Sequence, residues 1–248
     1  MHPIGAGGAV CGEVRDVGKD TAMVQTGSDN LDRYDGAVAV GGPAQTRVTG
    51  GLEITKVAVG AMDNNAYLLR DSATGEQLLI DAAAEPTTLL GLIGDRPLQQ
   101  VLTTHRHADH WQALAEVVAA TGARTLTGVD DAEGVPVPTD VPLLDSGTVA
   151  VGHQRLNVRQ VVGHTPGAVV LVWEPQDGPP HLFTGDCLFP GGPGRTTSPA
   201  DFTSIMDDLQ AKVFDVLPDD TWVYPGHGAD TTLGTERPHL AQWLARGW

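Results

Sequence analysis

The chain has 248 residues, of which 41% are hydrophobic, and 15 basic against 31 acidic side chains give a formal net charge of −16. That length suits one large domain or two small ones around a buried core. No apolar run reaches the roughly 20 residues a membrane helix needs, and so acidic a surface repels nucleic-acid phosphates, so neither a membrane nor a nucleic acid is an expected partner.

Residues 1–50 are rich in Gly and Ala, with short apolar pieces such as GAVAV and no helical period. They are expected to form a poorly structured or loosely packed N-terminal extension. Their start, MHPIGAGGAVCGEV, has neither a basic beginning nor a sustained apolar stretch, so it does not read as a secretory signal, and a cytoplasmic location is expected. From Gly51 to residue 248 the pattern tightens into a single expected domain. LEITKVAV (52–59) and NAYLLRD (65–71) read as strands around a turn at MDN, and EQLLIDAA (76–83) as a third strand ending at Asp81. EPTTLLGLI (85–93) reads as a helix, and QQVLTT (99–104) as a short buried strand. HWQALAEVVAATG follows with Trp111, Leu114, Val117 and Val118 at helical spacing, stopped by Gly122, and ARTLTG returns as a strand.

The second half repeats the idea. RLNVRQVVG (155–163), AVVLVWEP (168–175) and HLFTGD (181–186) read as strands. Residues 198–217 read as a helix, with Ser198 as N-cap, Pro199 at its first position and Asp201 in its first turn. TWVYPG (221–226) is the last strand, and ERPHLAQWLARG (236–247) the last helix. Two such halves predict two sheets packed together and covered by helices.

Four separated stretches put ligand-type side chains at strand ends or in the loops that follow: HRHADH (105–110), GHTPG (163–167), TGD (184–186) and YPGHG (224–228). They hold five of the nine histidines, namely His105, His107, His110, His164 and His227. Buried imidazole is costly unless its nitrogens find partners, and a metal ion is the commonest partner that takes several at once. Taken singly, each stretch reads as a turn or a cap. Together, each after an apolar strand, they point to one convergent site. His2, His153, His181 and His239 lack such settings and read as surface or core residues. Arg195, in GPGR, reads equally as an anchor for a substrate carboxylate or as a loop-fixing ion pair. The two cysteines, Cys11 and Cys187, make no disulfide framework. Cys187, Trp111 and Trp222 read as packing residues.

The H-x-H-x-D-H signature with its later His, Asp and His resembles the metallo-β-lactamase superfamily, and within it the glyoxalase II-like hydrolases, over residues 51–248. NNAYLL, LLID and LFPGGPGRT (188–196) add to the likeness. The resemblance implies a four-layer α+β fold, an αββα sandwich of two mixed β-sheets flanked by helices, with metals in a cleft at one edge of the sheets. It also implies that His105, His107 and His164 bind a first metal, that Asp109, His110 and His227 bind a second, and that Asp186 bridges them. Asp81 would hold the histidine loop from behind. Such nitrogen and oxygen donors suit Zn²⁺, two per chain, and accept Fe²⁺ or Mn²⁺. The implied chemistry is hydrolysis of a small-molecule thioester or related acyl ester by a metal-bridging hydroxide, with Asp109 or Asp186 orienting it and relaying a proton. Because His227 lies so near residue 248, the helical extension that grips glutathione in glyoxalase II is not expected, so the expectation is thioester chemistry rather than S-lactoylglutathione in particular. Persulfide dioxygenases are a second resemblance, through H-x-H-x-D-H and Gly194-Arg195-Thr196. They imply a single Fe(II) on His107 or His105, His164 and Asp186. A lactonase or β-lactamase sharing the hydroxide mechanism is the third. The sequence sets no oligomeric state.

Overall fold

The computed structural model describes residues 34–247; the expectations for residues 1–33, Cys11 and His2 among them, lie outside the described residues. The chain runs through β1 (Gln45–Thr49), β2 (Leu52–Val59), β3 (Asn64–Asp71), β4 (Gln77–Ile80), α1 (Pro86–Ile93), β5 (Leu98–Thr103), α2 (Leu114–Thr121), β6 (Arg124–Gly128) and β7 (Val141–Leu143). These strands form a sheet in sequential order, β1 to β7. Its first four strands pair antiparallel and β4 to β7 pair parallel, so the sheet is mixed. The second half runs through β8 (Thr148–Val151), β9 (Gln154–Gln160), β10 (Val169–Trp173), β11 (His181–Gly185), the short hairpin β12 (Leu188–Phe189) and β13 (Gly192–Pro193), α3 (Pro199–Leu209), β14 (Trp222–Pro225), β15 (Thr231–Thr232), α4 (Leu233–Glu236) and α5 (Leu240–Arg246). Its sheet has the order β15-β14-β11-β10-β9-β8, with one parallel pair, β11 to β14.

Alternation along the strands builds the layers. In β10, Val169, Leu171 and Trp173 face the other sheet and join Leu52, Ile54, Leu78, Ile80 and Leu102 in one buried cluster. Val170 and Val172 face outward against Ile205, Leu209 and Trp243 of α3 and α5. On the opposite side Leu79 and Val101 pack under Leu89 and Ile93 of α1 and Val117 of α2. The four layers are helix, sheet, sheet and helix, as the resemblance implied. No helix among the described residues is long and apolar enough to cross a membrane.

Three local features differ from the sequence reading. The domain does not begin at residue 51: Gln45–Thr49 pair with β2 in full register, and the Tyr34 hydroxyl donates to Asp230 at 2.7 Å. QTRVT is a polar edge strand, so it carries little hydrophobic alternation to betray it. The helix expected from His110 begins only at Leu114, because Ala108–His110 form a 3₁₀ turn that carries the ligand-type side chains. The last helix is broken into α4, a 3₁₀ turn and α5, with Pro238 inside that 3₁₀ turn.

Candidate metal centre

The four motif stretches follow β5, β9, β11 and β14, and the structure brings all of them to one end of the two sheets. His105 and His110 are buried, Asp109, His164, Asp186 and His227 are half-buried, and His107 is exposed, so the cluster opens to solvent on the His107 side. Three groups of donor atoms lie within 4.8 Å of one another: His105, His107 and His164; His105, His110 and Asp186; and Asp109, His110 and His227. Asp186 reaches both outer groups, with Oδ1 3.3 Å from His110 Nε2 and Oδ2 3.5 Å from both His164 Nε2 and His227 Nε2.

Outer hydrogen bonds decide which nitrogen of each ring faces the cluster with a lone pair. His164 Nδ1 donates to the Arg195 carbonyl at 2.7 Å, and His227 Nδ1 to the Met62 carbonyl at 2.9 Å. A carbonyl only accepts, so both Nδ1 atoms carry the proton and both Nε2 atoms face inward as acceptors. Asp81 does the same for two more rings. Its Oδ2 lies 2.8 Å from His110 Nδ1 and accepts from Thr104 Oγ1 at 2.8 Å, while Thr104 Oγ1 lies 3.1 Å from His105 Nδ1. With its own hydrogen committed to Asp81, the threonine oxygen accepts from His105, whose Nε2 is thereby an acceptor. His105 Nε2, His107 Nδ1 and His164 Nε2 then meet at 2.9–3.3 Å in a triangle with too few protons to satisfy it. His110 Nε2 and Asp186 Oδ1 are buried with no hydrogen-bond partner. Convergent lone pairs and stranded buried acceptors fit a metal cation, and the imidazole and carboxylate donors are of the kind Zn²⁺, Fe²⁺ and Mn²⁺ accept.

The electrostatics agree with this donor set. Burial raises the Asp186 carboxyl, but the adjacent His110 and His227 imidazoles outweigh it and hold the group below the usual carboxylate range. Burial opposes charge on His110, but Asp81 and Asp186 outweigh it and raise its pKa to about 10, so without a cation its Nε2 holds a proton that a bound metal would displace. Burial, reinforced by His110, pushes His105 down. The carboxylate field that attracts a proton here attracts a metal cation equally.

The backbone is shaped for these approaches. Asp81 sits just beyond β4 at φ 58°, a left-handed conformation costing about 1–3 kcal/mol in a residue other than glycine. This turn aims its carboxylate at Thr104 N, at 2.7 Å, and at His110. At Gly226 a Cβ would stand 2.2 Å from Asp186 Oδ1, so the loop carrying His227 passes this carboxylate only because residue 226 has no side chain.

Several supporting residues had no role in the sequence reading. Asn64 donates to Asp109 Oδ2 at 2.9 Å and lies 3.4 Å from His227 Nε2. It belongs to the NNAYLL stretch, which marked it without a function. Asp131, fully buried, accepts from Arg106 N, Thr165 Oγ1 and Gly167 N, and so ties the HRHADH loop to the GHTPG loop. Lys56 Nζ donates to Asp230 Oδ1 at 2.6 Å and to the Gly228 carbonyl at 2.8 Å, bracing the loop after His227. Neither Asp131 nor Lys56 carried a local signal, since their partners lie far along the chain. Arg195 is exposed, and its backbone carbonyl, not its guanidinium, touches the cluster. The non-motif His181 is buried with Nδ1 2.8 Å from the Tyr224 hydroxyl, and Cys187 is buried, both as packing residues.

A layered sandwich with imidazoles and carboxylates gathered at one end of its sheets defines a class of metal-site scaffold. The model of the metallo-β-lactamase superfamily matches residues 59–227, and the chain belongs to that superfamily. It is 38% identical over 169 residues to a hydroxyacylglutathione hydrolase from Fuscovulum blasticum, covering 66% of this chain and 62% of the relative. The chain thus spans under two thirds of that relative's length. Among solved structures it is similar to TTHA1623 in a di-iron-bound form, with 31% identity, a TM-score of 0.62, and coverage of 73% of this chain and 96% of the other. It is also similar to ETHE1 from Myxococcus xanthus, with 28% identity, a TM-score of 0.65, and coverage of 75% and 82%.

Proposed function

We propose that this chain is a metal-dependent hydrolase that cleaves a thioester or related acyl ester. The observation that carries the reading is the convergence of the Nε2 atoms of His105, His110, His164 and His227 around Asp186, each ring oriented by an outer hydrogen bond at Nδ1. In this reading His105, His107 and His164 hold one divalent ion, Asp109, His110 and His227 hold a second, and Asp186 serves both. Bound there, such ions supply a hydroxide at neutral pH and polarise the substrate carbonyl. The relatives named as hydroxyacylglutathione hydrolases support the acyl-thioester class.

The chain's own residues do the rest. Asp109, held by Asn64 and half-open to solvent, orients the attacking water and accepts its proton. Asp81 keeps His105 and His110 in the tautomers that face the site. Met62, 62% exposed, and Phe189, whose ring lies 6.2 Å from His227, offer apolar surface at the mouth for an acyl chain. A thiolate leaves readily, since thiols have a pKa of about 8.5, so cleavage asks for no strong general acid.

The second reading is a persulfide dioxygenase with one Fe(II) on two histidines and Asp186, favoured by the Gly194-Arg195-Thr196 loop against His164. Parallel assays separate the two. Thioester cleavage without oxygen uptake supports the hydrolase. Oxygen consumption on a persulfide, with thioesters left intact, overturns it.

A further inference from the structure

Behind the loop that carries His227 lies a charge pair shut off from solvent. Lys56 Nζ and Asp230 Oδ1 meet at 2.6 Å, and both side chains are fully buried. Among the described residues, every other ion pair of a lysine or arginine has at least one partner open to water. Taking two charges out of water is costly, and the cost is offset only where their remaining polar atoms are satisfied. Here they are. The ammonium has three hydrogens, and besides Asp230 it donates to the Gly36 carbonyl at 2.6 Å and the Gly228 carbonyl at 2.8 Å. Asp230 Oδ2 accepts from the Tyr34 hydroxyl at 2.7 Å and from Trp222 Nε1 at 2.8 Å. At Gly36, with φ 76°, a Cβ would stand 2.6 Å from the Asp230 carboxyl carbon, so the segment before β1 lies directly on the pair. The acceptor at Gly228 adjoins His227. The same carbonyl takes Asn65 Nδ2 at 2.9 Å, the Pro225 carbonyl takes the Tyr67 hydroxyl at 2.7 Å, and the Gly226 carbonyl takes Asn65 N at 2.8 Å. The backbone on both sides of His227 is therefore held by donors of β2 and β3, from the opposite sheet. The loops carrying His105, His107 and His164 have a separate brace, Asp131.

We propose that Lys56, locked by Asp230, is a positioning residue for His227, and so sets the affinity of the ion position formed by Asp109, His110 and His227 while leaving the other position untouched. This rests on the two-ion reading of the centre. A zinc–nitrogen bond of about 2.0–2.1 Å leaves a ligating ring little freedom of place. Asp109 and His110 ride on the 3₁₀ turn after β5, so within this group only His227 depends on the loop that Lys56 grips. Because Asp230 cancels the ammonium charge, Lys56 adds little repulsion toward a cation beyond the loop. The segment Tyr34–Gly36 supplies a donor and an acceptor to the same pair, which makes it a remote part of the second ion position.

The test titrates zinc into the full chain after chelation. Lys56→Met alone strands the Asp230 charge in the interior, so the variant of choice is Lys56→Met with Asp230→Asn, whose amide oxygen still accepts from Tyr34 and Trp222. That double variant is expected to hold one ion as tightly as the wild type and the other about 10–100-fold more weakly, the scale for residues that orient a ligand. The same pair of changes is then made beside His227→Ala and beside His107→Ala. With His227 gone it should alter the affinity of the remaining ion less than about twofold, and with His107 gone it should keep its full effect. Equal weakening of both ions, or a loss that persists beside His227→Ala, assigns the pair to the fold and overturns the proposal, as does unchanged binding. A wild-type chain that binds fewer than two ions removes the two-ion reading, and the metal-free chain then decides the positioning role. Imidazole nitrogen NMR should show His227 protonated at Nδ1 in the wild type and a mixture of tautomers in the double variant, with His164 unchanged. A His227 ring with the same tautomer and shifts in both chains overturns the proposal.

Discussion

Asp81 shows how one side chain can serve a site it does not enter. Its left-handed backbone, its bonds to Thr104 and its contact with His110 join a strand end to two imidazoles. Asp81→Asn keeps the size and tolerates the same backbone but weakens the acceptor. It is expected to lower metal affinity by about 10–100-fold with little loss of stability, measured by competition with a chromogenic chelator. Asp186→Ala removes the one carboxylate within 3.5 Å of rings from both outer groups, so metal content and turnover should fall together. His181 gives a pH signature away from the site. Burial, aided by Arg47, lowers its pKa to about 4, whereas the unfolded chain titrates at about 6.5. A lowered histidine contributes stability in full above pH 6.5 and loses it as pH falls toward 4, because the unfolded state takes the proton first. Against His181→Gln, the wild type should therefore lose up to about 3 kcal/mol more in unfolding free energy between pH 7 and pH 4.

At the scale of elements, the centre depends on loops held to one another. Asp131 lies in a 3₁₀ turn after β6, yet it bonds both the loop after β5 and the loop after β9. Asp131→Ala strands those buried donors, and denaturant unfolding should show a loss of about 2–4 kcal/mol. The elements readable in the sequence were those with an apolar run or a clear period, β2 to β6, β9 to β11, β14 and α1 to α3. β1, β7 and β8 are short and polar on one face, so their pairing is set by neighbours distant in the chain. The 198–217 helix was legible at its Ser198 cap, but its last turn widens into a π-helix at Gln210–Phe214, which no local pattern marks. The side chains that converge on the candidate site were legible because imidazole is rare and its spacing unusual. Asn64, Lys56 and Asp131 were not, because asparagine, lysine and aspartate are common and only the fold shows what they touch.

Across the whole molecule, two sheets packed face to face bring four loops, from residue 105 to residue 227, to one end. The donors they carry repel one another or stand unsatisfied unless a cation joins them. Chelation should accordingly lower the melting temperature, and restoring a divalent ion should recover it. The most direct test is to titrate the chelated chain with zinc and count the ions bound per chain, with Asp186→Ala alongside. The account predicts two ions bound by the wild type and a much weakened site in the variant. A chain that binds no metal, or a variant that binds as many ions as tightly as the wild type, would contradict it.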